Sequence, residues 1–257
     1  MTPIAKLFAF VFIAGALTLG ANLAAAQTSQ ESAPGAGTGQ LLAVGGGPKD
    51  FAFNPVAHVR DNRSWEYGPF INYGVGVGDR SSYKFLWGGF QLSKPLSPVV
   101  HAGIFSGQFE FGGNAMPLWQ AYTPPAGLHS VIYNGNTIKV NYGGGTFRGV
   151  SLTPVILRWN FFTQSRRFQP WFQGAGGLVY TTHKFPPDQI VPKGVPGGTC
   201  VWNFTPQGGI GAHYFIRPTR SIDLGVNAVH ISSASLGDRN PGVNASVQIQ
   251  VGYTYWK

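Results

Sequence analysis

The feature that most constrains this chain is a period of two that recurs in segment after segment. In residues 65–77, Tyr67, Ile71, Tyr73, Val75 and Val77 alternate with Glu66, Gly68, Asn72 and Gly74. In residues 201–215, Trp202, Phe204, Ile210, Ala212 and Tyr214 oppose Asn203, Thr205, Gln207 and His213. In residues 245–256, Val247, Ile249, Val251, Tyr253 and Tyr255 oppose Gln248, Gln250, Gly252 and Thr254. Successive side chains of a strand leave on opposite faces, so each segment reads as a strand with one apolar and one polar face. These three and 221–232 alternate clearly, and 82–92 is ambiguous by period. Eight strands in all are predicted, over 65–77, 82–92, 99–111, 147–161, 168–181, 201–215, 221–232 and 245–256.

The apolar faces have to meet something. Charged residues make up 11% of the chain, while aromatics reach 14% and glycine numbers 37. A soluble domain carries about 25% charged residues. Low charge with abundant glycine and aromatics suits a barrel whose exterior faces lipid. No segment beyond the first 26 residues approaches the roughly 20 apolar residues of a spanning helix, so strands must do the crossing. The fold expected is all-β: an eight-stranded antiparallel transmembrane β-barrel with short periplasmic turns and longer extracellular loops. The turns fall at 93–98, 163–167 and 217–220, the long loops at 112–146, 182–200 and 233–244. Glu66, Glu110, Arg158, His213 and Asp223 fall on the inner face, where they pair and plug the barrel rather than line a pore. A soluble lipid-carrying barrel of the lipocalin kind is the competing architecture.

Residues 1–26 read as a signal peptide: Lys6, an apolar core over 7–19, and Ala24-Ala25-Ala26 before Gln27. Residues 27–63, rich in Gly, Ser, Ala and Pro, read as a flexible leader with a short ordered piece near 51–59. Residues 64–257 form the barrel. Cys200 is the only cysteine, so no intramolecular disulfide forms. An exported barrel belongs in the cell outer membrane. Its net charge of +9 favours phosphorylated lipid over nucleic acid, which an exported protein rarely meets. Whether two copies pair as a homodimer is left open.

One strand carries chemistry. Over 221–232, Ile222, Leu224, Val226 and Ala228 make an apolar stripe that His230 and Ser232 continue, while Ser221, Asp223, Gly225 and Asn227 take the other face. A general base and a hydroxyl thus end the face that touches hydrocarbon. Serine at its ordinary pKa is a poor nucleophile and needs an adjacent base, here His230. The following loop offers the Asn240 amide and backbone N–H groups for a developing oxyanion. The bland alternative is an interfacial His and Ser bonded to headgroups. Ser233 lies on the opposite face, and Ser235 sits in the loop. Residues 116–122 (MPLWQAY) read as an aromatic loop segment that docks acyl chains or anchors the interface. No metal or cofactor is expected, because the chain has no Cys/His cluster, acidic metal loop or phosphate-binding glycine loop.

The run from His230 through Ser232, Leu236, Asn240-Pro241-Gly242 to Asn244 resembles the active-site segment of the outer-membrane lipid A 3-O-deacylases, the acyloxyacyl hydrolase family. The resemblance implies a carboxylic ester hydrolase acting on lipid A, within lipopolysaccharide of the outer leaflet. It implies that His230 is the base, Ser232 the nucleophile and Asn240 an oxyanion donor. Asn244 falls where the family has an acidic residue that orients the histidine. An asparagine can accept an imidazole N–H but cannot neutralise imidazolium, so slower turnover is implied, with Asp238 a possible substitute acid. Ser233 and Ser235 also depart from the family pattern. The alternative reading is a non-catalytic outer-membrane barrel with a structural or adhesive role.

Overall fold

A computed structural model describes residues 53–133, 135–142, 144–187, 200–234 and 244–257. The ordered piece near 51–59 is helix α1 (Pro55–Asn62). Its start is written in the sequence. The Asn54 side chain accepts from the Ala57 N–H at 3.0 Å, and Pro55 occupies the first turn, where its missing N–H costs nothing. Arg63, at φ 46°, ends the helix in the left-handed conformation.

The wall follows: β1 (Glu66–Gly76), β2 (Lys84–Pro95), β3 (Gly107–Tyr122), an extra hairpin β4 (Gly127–Tyr133) and β5 (Asn136–Tyr142), then β6 (Thr146–Phe161) and β7 (Phe168–Phe185). After these come β8 (Cys200–Phe204), β9 (Gln207–Arg217), β10 (Arg220–His230) and β11 (Ala245–Trp256). Neighbours pair antiparallel in the order β6-β3-β2-β1-β11-β10-β9-β7, and β6 pairs with β7 to close the ring. β8 pairs with β7 directly beyond the end of β9, so β8 and β9 occupy one wall position broken at Thr205-Pro206. The wall therefore has eight positions, the number of strands expected from the sequence.

The third strand departs furthest from its predicted boundaries. The third strand, expected at 99–111, runs from Gly107 to Tyr122 instead. Residues 103–105 form a 3-10 turn opened by Gly103 at φ 60°, which carries the β2–β3 connection and makes it longer than the expected short turn. As a result, residues 116–122 are wall rather than an acyl-docking loop. Met116 and Trp119 point inward and are 3% and 1% exposed.

Burial alternates along the wall as the period required. On β10, Asp223 is 4% exposed and its neighbour Leu224 is 53% exposed. The lower interior, nearest Trp65 and Lys257, holds the expected charge cluster. Arg158 donates to Glu66 at 2.8 Å and to Glu110 at 3.0 Å, and His213 Nδ1 lies 2.7 Å from Asp223. Buried charges of this kind are tolerated when paired and fully hydrogen-bonded. Asn160, Gln91, Ser221 and Thr254 supply the remaining donors.

The other end of the interior is aromatic, a layer the alternation did not foretell. Trp87 stacks on Trp119 at 5.8 Å between ring centres, and Phe185 packs edge-on against Trp119 and Phe147. At the end where β1 begins and β11 ends, Val56 and Val59 of α1 pack with Phe215 and Trp256. This helix closes the barrel floor.

Candidate active site at the outer end of β10

β10 carries the alternation to its last residue. Val229 and Ile231 are each 1% exposed and belong to the aromatic interior, so His230 between them turns outward. The His230 backbone N–H donates to the Pro206 carbonyl at 2.9 Å, and His230 pairs with Ala245 of β11. Its ring is half-buried against the outer wall.

Ser232 lies one step beyond, in an isolated bridge to Phe204. The Phe204 N–H donates to the Ser232 carbonyl at 2.7 Å, and the Ser232 N–H to the Phe204 carbonyl at 3.1 Å. Residues directly opposite in an antiparallel pair share a face. Phe204 is 40% exposed on the outer wall, so Ser232 shares the outer face with it and with His230. The serine itself is 8% exposed. Its Oγ accepts from the Ala234 N–H at 3.1 Å, and Ala234 is held at φ 49°. An alanine in that region costs about 1–2 kcal/mol, strain of the kind that collects at functional turns. Ser233 is buried on the inner side, as expected.

Asn244 meets His230 differently from the side-chain contact the family pattern implied. Its backbone carbonyl faces the imidazole and also accepts the Ile231 N–H at 2.8 Å. Its side chain turns inward, where Oδ1 accepts from Arg80 Nε at 2.8 Å. Parity explains this: Ala245 is opposite outward-facing His230, so Asn244 must face in. Arg80 is buried in the connection between β1 and β2 and also donates to the Tyr83 hydroxyl at 2.9 Å. No local signal marked it, because its partner lies 164 residues away. Asn240, Asp238 and Ser235 lie outside the described residues.

Beside Phe204 the outer wall is indented. Pro154, Gly176, Gly177, Leu178, Phe204 and Pro206 line a groove of about 360 Å³. A Cβ at Gly176 would meet nothing within 4 Å, so the missing side chain leaves this hollow open. The lining is apolar throughout, suited to hydrocarbon.

Among the described residues, Glu66, His213 and Asp223 bring ligand-type atoms within 4.8 Å of one another. Their oxygens are committed to Arg158, Gln91, Ser221 and Thr254, and the group stands inside the wall, on the opposite face from His230.

A family model described as lipid A 3-O-deacylase (PagL) matches residues 105–254, more than half of the chain and the stretch that carries this site. The chain belongs to the lipid A 3-O-deacylase family. With its apolar wall exposed, this family member resides in the outer membrane. Among solved structures, the outer membrane enzyme PagL is similar at 16% identity, with a TM-score of 0.43, covering 72% of this chain and 98% of that one. Neisserial surface protein A is similar at 11% identity and a TM-score of 0.43, covering 74% of this chain and 96% of that one. The N-terminal β-barrel domain of Pseudomonas aeruginosa OprF is similar at 10% identity and a TM-score of 0.38, covering 75% and 98%. No curated protein matches the chain.

Proposed function

We propose that this barrel is an outer-membrane esterase that hydrolyses an ester-linked acyl chain of lipid A by 3-O-deacylation, with Ser232 as nucleophile and His230 as base. The observation that carries the reading is the placement of both side chains on the lipid-facing wall, at its outer end and beside an apolar groove. An acyl chain lying in that groove would bring its ester to the serine while the sugar stays at headgroup level.

Residues two apart on a strand stand about 6.5–7 Å apart at Cα, a span that an imidazole and a hydroxymethyl group bridge with modest rotamer adjustment. His230 takes the Ser232 proton as Oγ attacks the carbonyl carbon, and the C=O bond becomes an oxyanion. The Asn240 amide and backbone N–H groups of the following turn donate to that oxyanion. The C–O bond to the sugar then breaks, and the imidazolium protonates the departing alkoxide. Water, deprotonated by His230, releases the fatty acid and regenerates the serine.

The Asn244 carbonyl, which faces the ring, holds the imidazole. A neutral carbonyl orients but does not neutralise imidazolium, so turnover is slower than with a carboxylate in that role.

The test compares lipid A masses after incubation with the refolded barrel and with Ser232→Ala. Loss of one acyl chain with the native protein alone supports the reading. Unchanged masses with both remove it, leaving the structural or adhesive barrel.

A further inference from the structure

The barrel floor carries a charge asymmetry that the esterase reading does not use. Arg166 and Arg167 sit in the turn between β6 and β7, and Arg217 and Arg220 flank the turn between β9 and β10. The Phe215 N–H donates to the Arg167 carbonyl at 2.8 Å, which sets the two turns side by side. Arg217 and Arg220 stand directly opposite each other in the β9–β10 register. Like charges placed opposite on a strand pair repel, so such a pair is stable only where an anion or solvent offsets it.

Among the described residues, no carboxylate offsets the Arg217–Arg220 pair. Neither turn contains Asp or Glu, and the three acidic residues of the nearby interior are sealed behind the wall. On the outer surface of this end, among the described residues, the acidic side chain is Asp61, which lies 2.9 Å from Arg60. Arg63, Lys94 and Lys257 extend the same rim.

The surroundings of these cations are those of a bilayer surface. Arg220 lies over the Tyr255 ring at 5.1 Å, and Lys94 over Trp65 at 4.7 Å. Tyr255 stacks on Tyr67, and exposed Phe168 and Ile216 stand on the wall beside the arginines. Aromatic rings at headgroup level with cations beyond them are the arrangement that anchors a protein at a membrane interface. Apolar wall directly below an arginine cluster fits a ligand with both a phosphate and acyl chains.

We infer that the corner formed by Arg167, Arg217 and Arg220 binds the phosphate of anionic phospholipid in the periplasmic leaflet. Both chain ends of the described barrel lie at this floor, and the candidate esterase site lies at the opposite end. The ligand is therefore distinct from the lipid A of the outer leaflet. Two guanidinium groups that repel when empty are drawn together by one phosphate diester, while Phe168 and Ile216 pack its acyl chains.

The full barrel, refolded in neutral detergent, is offered equimolar phosphatidylglycerol and phosphatidylcholine and examined by native mass spectrometry. The native protein should retain phosphatidylglycerol over phosphatidylcholine by about tenfold, as several basic residues at a membrane surface provide. The triple variant Arg167→Ser, Arg217→Ser, Arg220→Ser should retain both equally while keeping heat-modifiable migration, and the corresponding triple lysine variant should restore the preference. Equal retention by the native protein, or an unchanged preference in the serine variant, would overturn the assignment. So would complete displacement by millimolar inorganic phosphate, which marks a general anion site, or binding to peptidoglycan sacculi in place of lipid.

Discussion

Arg80 and Asn244, 164 residues apart in the chain, meet inside the outer end of the barrel through a 2.8 Å hydrogen bond from Nε to Oδ1. The bond joins the β1–β2 connection to the residue whose carbonyl faces His230. Asn244 is thus tied down from inside the barrel, on the face of the wall opposite His230.

Removing that tie should loosen the carbonyl without touching the reacting groups. Arg80→Gln is expected to lower kcat about tenfold with KM little changed, the pattern of an interaction that matters in the transition state. Asn244→Asp keeps an acceptor for Arg80 and adds an ion pair, so deacylation should stay within about threefold of native. Steady-state kinetics on both variants decide this. A large gain from Asn244→Asp would mean that the side chain reaches His230 after all.

The groove makes a prediction from two adjacent glycines. Leucine at Gly176 enters open space, so Gly176→Leu should fold normally and shift the enzyme toward shorter acyl chains. A Cβ at Gly177 would lie 2.6 Å from Thr153 Oγ1 and 2.9 Å from the Leu152 carbonyl. Gly177→Leu should therefore reduce the yield of folded barrel. Heat-modifiable migration reads folding, and product masses from lipid A species of different chain length read specificity.

Within the wall, Arg158 compensates Glu66 and Glu110 together. Arg158→Met removes the guanidinium that two buried carboxylates share and should cost about 3–5 kcal/mol. Urea unfolding in lipid vesicles measures it. Replacing Glu66, Glu110 and Arg158 together by apolar residues of similar volume should recover much of that loss, because no charge then remains unpaired.

Helix α1 is predicted to stabilise the barrel without serving its chemistry. Val59 is 2% exposed against Phe215 and Trp256, so Val59→Asp buries an unpaired carboxylate and should detach the helix. Limited proteolysis should then cut within 53–63, while lipid A deacylation stays near the native rate. Loss of activity alongside the cut would give the floor of the barrel a part in the reaction.

The alternation of residues such as Ile222, Asp223, Leu224 and Gly225 determined by itself that this chain forms strands with one face in lipid. It also determined which side of the wall His230, Glu66, Glu110, Arg158, His213 and Asp223 occupy, because a strand's period of two leaves each side chain a single choice. The tertiary structure decided everything that depends on which strands are neighbours. The contact of Arg80 with Asn244, the groove between Gly176 and Phe204, and the stacking of Trp87 on Trp119 each join segments far apart in sequence. The third strand shows the same division: its residues Met116 to Tyr122 carry no clean alternation, and pairing with β2 and β6 made them wall. Local periodicity fixes a face, whereas partners and register come from closing the sheet, where every backbone N–H and C=O must find a mate in a solvent that offers none.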